Sequence, residues 1–179
     1  MNLHRTKLKG LFVLETINFK DNRGQFQKLF NFDEFEQLGL NADFREFYYS
    51  VSHEGVLRGM HFQLPPHDHE KLVYVSKGKI LDVVLDLRKK ESTFGAFESF
   101  LLDDYSAQYL YIPKGCAHGF LSLEDGSIVN YAQTSCYNKN ADSGVLFNSF
   151  GMNWGIKDPI ISNRDKEFVQ FDDFKSPFL

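Results

Sequence analysis

Arg58 and His61 stand three residues apart in Leu57-Arg58-Gly59-Met60-His61-Phe62-Gln63, a pairing able to handle both an anion and a proton. An imidazole changes protonation near neutral pH, which suits it to moving protons. A guanidinium donates hydrogen bonds in pairs and suits a phosphate or carboxylate. On a regular strand Arg58, Met60 and Phe62 point one way, and His61 and Gln63 the other. A bend or bulge at Gly59 would bring Arg58 and His61 into one cavity. The same residues also fit a surface arginine and a packed histidine. In a second cluster, Ile112-Pro113-Lys114-Gly115-Cys116-Ala117-His118-Gly119-Phe120, a Pro-x-Gly turn delivers His118 to the start of a strand. Asp82 and Asp86 share one face of a third segment, where a buried carboxylate needs a partner. Lys71, ahead of the neighbouring strand, is the candidate partner. Tyr131 fits either packing or proton donation.

These side chains need a rigid frame, and the pattern around them is of strands and turns. Gly10 to Phe19 alternates weakly and reads as a strand. Asp21-Asn22-Arg23-Gly24 is turn chemistry. Asn31 to Leu40 has apolar residues at helical spacing, with Asp33 as cap and Gly39 near the end. From Arg45 onward, strands are expected over Lys71 to Ser76, Ile80 to Leu87, Phe97 to Leu102, Gln108 to Ile112, Gly119 to Leu123 and Ile128 to Thr134. A short helix is expected near Arg164 to Phe168. Regularly spaced short strands predict an all-β sandwich or barrel of the jelly-roll kind.

Composition narrows the classes. The 179 residues fit one domain, 1–179, with one sizeable core. Aromatics reach 16%, which favours pleated structure and offers stacking faces. A net charge of −4 draws the chain to neither nucleic acid nor an anionic membrane. No apolar run approaches the roughly 20 residues that cross a bilayer. The N-terminal apolar stretch is too short for a signal peptide, so the expected location is cytoplasmic. Cys116 and Cys136 are too few for a disulfide framework and lack metal spacing.

The His118 segment matches the second motif of the cupin superfamily, which often binds metal there. His67-Asp68-His69 would then be the first motif. Pro65-Pro66 place that pair in a loop, and Leu72 to Tyr74 hold no carboxylate. Three or four converging ligands are needed, so no metal and no cofactor is expected.

Together the motifs resemble the dTDP-4-dehydrorhamnose 3,5-epimerases over nearly the whole chain. The matching strings are DNRG at Asp21, GVLRGMHFQ at Gly55, KLVYVSKGKILDVVLDLRKKESTFG at Lys71, YIPKGCAHGFLSL at Tyr111, NYAQTSCYNKN at Asn130 and ISNRD at Ile161. The resemblance implies a cupin-type jelly-roll β-barrel with a few short helices. It also implies a homodimer that shares residues across its interface. By the same resemblance His61 looks like the general base, Asp165 the carboxylate orienting it, Tyr131 the acid across the sugar and Lys71 the cation beside an enolate oxygen. Asp82 and His118 look like further lining residues. Arg23 and Arg58 look like pyrophosphate ligands, with Phe19 and Phe26 near the nucleotide or sugar.

Departures cluster where the family holds its nucleotide and sugar. Lys28 stands where an acid usually follows the DxRG turn. Glu46 and Tyr48 replace a Gln and an Asn, and Cys136 replaces the first tyrosine of a pair, leaving Tyr137. An ionised glutamate only accepts hydrogen bonds, which fits the adjacent N–H donors of guanine better than thymine. The resemblance, with these departures, implies an epimerase inverting C3, C5 or both in a nucleotide-linked 4-keto-6-deoxy sugar, a GDP-heptose or a dTDP-hexose, for surface polysaccharide synthesis. The competing readings are a 3,4-ketoisomerase, a metal-dependent cupin oxygenase and a non-catalytic sugar-nucleotide binder.

Overall fold

The computed structural model describes all 179 residues. Its strands are β1 (Asn2–Arg5), β2 (Phe12–Glu15), β3 (Asn18–Asp21), β4 (Gly24–Gln27), β5 (Glu46–Ser52), β6 (Leu57–Gln63), β7 (Lys71–Lys77), β8 (Lys79–Asp86), β9 (Phe97–Asp103), β10 (Gln108–Ile112), β11 (Cys116–Ser122), β12 (Ser127–Gln133) and β13 (Asp142–Gly144). Two short helices, α1 (Phe32–Gln37) and α2 (Asn163–Lys166), complete the frame. One sheet has the order β1-β2-β10-β7-β12-β5 and the other β13-β6-β11-β8-β9; β3 and β4 pair only with each other. All these strand pairs are antiparallel, the arrangement expected of a jelly roll. No helix is long and apolar enough to cross a membrane.

The two sheets face each other, and period-two alternation decides what lies between them. Along β7 the positions in step run Lys71, Val73, Val75, and along β12 they run Gln133, Tyr131, Val129. Val73, Val75 and Val129 join Ile80, Val84, Leu110 and Phe120 in a buried core. Lys71 and Gln133 continue the same rows into a cavity. The polar site is thus the unfilled end of the layer whose other end is the core. The outer face of each sheet is covered too. Phe35 of α1 packs with Leu14, Leu72 and Tyr111, and the C-terminal segment lays Trp154 and Phe178 near Val83, Leu85 and Leu121. Each fully buried large side chain of this kind contributes about 1.5–3 kcal/mol.

Three local expectations need correcting. Gly10 to Phe19 is not one strand. β1 and β10 both end their strand pairing with β2 at Glu15, and the next pairing begins only where Asn18 folds back on Gln27. The helix cap is Asn31, not Asp33: the Asn31 side chain accepts the Glu34 N–H at 3.1 Å. Asp86, on the same strand face as Asp82, has a different partner. It is tied to Arg88 and to the Thr93 hydroxyl at 2.6 Å, where it braces a turn.

Candidate active site

Gly59 makes the site possible. β6 and β11 pair His61 with His118 and Arg58 with Phe120, so two residues on β6 stand opposite one on β11. That bulge puts Arg58 and His61 on the same wall of a cavity of about 360 Å³, within the range of small-molecule pockets. Met60 turns instead into the apolar layer behind the sheet. Only glycine fits at position 59. Its φ is +137°, and a Cβ there would lie 2.5 Å from the Gly119 Cα.

His61 is held by a carboxylate from the far end of the chain. Its Nε2 donates to Asp165 Oδ1 at 2.9 Å, which leaves Nδ1 without its proton. Asp165 sits in α2, capped by Ser162, and its other oxygen accepts the Gly59 N–H at 3.1 Å. The bulge therefore shapes the strand and also anchors the carboxylate. Burial pushes the His61 imidazole below its ordinary pKa, and the Asp165 pair only partly offsets this. Burial pushes Asp165 up, but hydrogen bonds from His61, Gly59 and Ser162 more than reverse it, so it stays ionised. The imidazole is neutral at neutral pH and ready to accept a proton.

The opposite sheet supplies Tyr131 and Lys71. Tyr131 is 8% exposed, and burial raises its phenol far above the ordinary value, so it keeps its proton. Lys71 is 6% exposed and forms no ion pair within 4 Å. Burial lowers its ammonium to about 8, against the pull of Asp82 and Asp142. The expected Lys71–Asp82 pair is replaced by a closer one: His118 Nε2 donates to Asp82 Oδ2 at 2.7 Å, inside the barrel. Asp82 itself is fully buried behind His118 and does not line the cavity.

Glu46 and Tyr48 also line the cavity, as does Tyr137. Glu46 Oε2 accepts the Tyr137 N–H at 2.8 Å, so the carboxylate and a 59% exposed ring stand together at the mouth. Arg58 spends two donors on Ser52 and the Val51 carbonyl, keeping the rest of its fork free.

Besides Asp82, four expected residues do not line this cavity. Phe19, Arg23 and Phe26 lie on the separate β3–β4 hairpin, where they line a different hollow. Arg23 is bound there by Asp21. Lys28 is exposed just beyond the hairpin, and only its carbonyl is engaged, by Thr16. The hairpin pairs with neither large sheet, so nothing within the chain directs it inward.

Sequence reasoning missed Gln63, Gln133, Asp142 and Arg164, which all line the cavity. The first two were within reach, because each lies two residues from a recognised inward position. The Arg164–Asp142 pair, at 2.7 Å, joins segments 22 residues apart and left no periodic signal. His69 lies in the loop where the two prolines place it and lines the cavity. It is buried ahead of β7, in step with Lys71, beside Gln63 and Ser135. Desolvation and the nearby Lys71 lower it to about 3, so it is neutral. No group of three metal-ligating side chains converges anywhere in the chain.

A neutral imidazole on one wall, a protonated phenol on the facing wall and an ammonium near both form a set with a definite chemistry. They can remove a proton from carbon, hold the oxyanion that results, and return a proton from the other side.

Comparison with known proteins identifies the family. A family model described as dTDP-4-dehydrorhamnose 3,5-epimerase matches residues 5–173. The chain is similar to the dTDP-4-dehydrorhamnose 3,5-epimerase of Methanothermobacter thermautotrophicus, with 39% identity over 169 residues, 92% of this chain and 91% of that protein. It also resembles a Legionella pneumophila dTDP-6-deoxy-D-glucose-3,5-epimerase solved in complex with dTDP-4-keto-L-rhamnose. That match has a TM-score of 0.92 at 28% identity and covers 97% of this chain and 94% of that one. A 3′-monoepimerase from Streptomyces bikiniensis, solved with dTDP-quinovose, is similar with a TM-score of 0.89 at 29% identity, covering 93% and 86% of the two chains.

Proposed function

The chain belongs to the dTDP-4-dehydrorhamnose 3,5-epimerase family, and from that premise we propose that it inverts C3 and C5 of a nucleotide-linked 4-keto-6-deoxy sugar through an enolate. The observation that carries the proposal is the His61–Asp165 pair on one wall facing Tyr131 on the other. A ketone at C4 acidifies the hydrogens on C3 and C5. His61 Nδ1 takes one of them, and the C–H electron pair moves into the enolate. Lys71 stands by the negative oxygen, and the Tyr131 hydroxyl supplies the proton that completes the new C–H bond. His118, backed by Asp82, lines the same end of the cavity. The ketoisomerase, metal-cupin and binder readings have no comparable support. A binder in particular has no use for an oriented base and a facing acid.

The finer proposal concerns the base and the sugar. Glu46 retains acceptor capacity at the mouth beyond the Tyr137 N–H, and the Tyr137 ring offers a stacking face. A carboxylate accepting paired N–H donors favours guanine. Guanine would place the chain in the branch of the family that handles GDP-linked 4-keto-6-deoxyheptoses for surface polysaccharides. Arg58 and Arg23 are the proposed pyrophosphate ligands. NMR in heavy water with GDP- and dTDP-4-keto-6-deoxyhexoses tests both levels. Deuterium is expected at C3 and C5, with at least about tenfold higher kcat/KM for the GDP sugar, an advantage of about 1.4 kcal/mol. No deuterium from either sugar would end the epimerase reading; a dTDP preference would end the guanine one.

Arg23 requires a second copy of the chain. β5 is a sheet edge and exposes Phe47, Tyr49 and Val51, while the hairpin exposes Phe19 and Phe26. An unpaired edge with an apolar face invites pairing. A homodimer through this edge would let one protomer's hairpin reach its partner's cavity. Light scattering should give about twice 20.8 kDa; a monomer mass would sink the shared site.

The proton inventory predicts the pH profile. The acid limb requires protonating His61 and lies below the ordinary 6.5 of an imidazole. The alkaline limb requires losing the Lys71 charge and lies near pH 8. Lys71→Arg should move only the alkaline limb upward, because a guanidinium stays charged. An unmoved limb in kcat/KM would assign it to another group.

A further inference from the structure

Tyr48 stands directly opposite Tyr131 in the β5–β12 register. The two rings are stacked, with centroids 4.6 Å apart and planes 18° from parallel. The Tyr48 hydroxyl is tied down by Gln133 Nε2 at 2.5 Å. His118 meets the Tyr131 ring edge-on, at 6.1 Å and 69°. Ser50 Oγ lies 3.4 Å from the Tyr131 hydroxyl. The phenol is thus bounded by a ring face, a ring edge and a hydroxyl. Of these bounds, Tyr48 is the one that covers the flat of the ring, and Tyr48 itself lines the cavity.

We propose that Tyr48 is a positioning residue for the proton donor, fixing the Tyr131 hydroxyl where it can reach the far side of the sugar. The inference rests on the proton-transfer reading above. Once the C–H bond breaks, the enolate has two fates. Tyr131 can give its proton to the far face, forming the inverted C–H bond, and then regain a proton from solvent. Alternatively the His61 imidazolium can exchange with solvent and return a deuteron to the original face. The second fate exchanges hydrogen without inversion. A donor displaced by about 1 Å can lose about a hundredfold in rate, so a loose Tyr131 shifts the partition toward the second fate.

The test is the ratio of inverted to merely exchanged product in heavy water, read by NMR with a 4-keto-6-deoxyhexose nucleotide that the wild-type protein turns over. Tyr48→Ala should lower that ratio by at least about tenfold while total exchange changes by less than about threefold. Tyr48→Phe keeps the stack, and its ratio should stay within about twofold of wild type. An unchanged ratio in Tyr48→Ala overturns the proposal. So does a parallel loss of exchange and inversion, which marks a merely structural role, and so does a Phe variant that falls as far as Ala. Absence of exchange in the wild-type protein removes the proton-transfer reading and this one together.

Discussion

His61→Asn is expected to lower turnover by about a thousandfold, within the range that a positioned base contributes. The amide is close in size to the imidazole and can still donate to Asp165, so the fold and the carboxylate's partner are preserved. What disappears is the basic Nδ1 lone pair. The native imidazole is held by Asp165 at 2.9 Å and kept neutral by burial, so it holds that lone pair throughout the neutral range. Hydrogen exchange at C3 and C5 should vanish with turnover, while KM changes by less than about threefold. Persistent exchange at either carbon would mean that a different base serves it.

Tyr131→Phe should separate two events that His61→Asn stops together. Only the hydroxyl is lost; the ring keeps its stack on Tyr48 and its place in the core. Proton removal by His61 does not require the phenol, so exchange into substrate continues. Inversion should fall by about a hundredfold or more. Burial holds the native phenol protonated far beyond neutral pH, so no ordinary pH within the stable range should mimic the mutation. Inverted product at near wild-type rate would assign the acid to another side chain.

Much of the frame was legible because it depends on local rules. The strands from Lys71 to Gln133 fall within a residue or two of their alternating patterns, except β11, which starts three residues earlier than expected, at Cys116. The bulge at Gly59 was visible only as a condition. The reason for it, Gly119 pressed against it across the ladder, lies 60 residues away. Asp165 could be attached to His61 only through family resemblance, because no periodicity links positions 104 residues apart. The Lys71–Asp82 pairing failed for a related reason. Strand order shows which charges are near, but not that His118 comes nearer still. The hairpin carrying Phe19 and Arg23 shows its turn chemistry plainly, yet its two strands pair only with each other, so no sheet register says where those side chains go.

The proposed base and the proposed acid sit on different layers of the sandwich: His61 on the five-stranded sheet, Tyr131 on the six-stranded one. A flat enolate lodged between the layers can lose hydrogen only toward one and regain it only from the other. Antarafacial transfer is then a property of the architecture rather than of any loop. Residues at the rim could be exchanged freely to suit a new sugar or base, and the stereochemical sense of each inversion would survive.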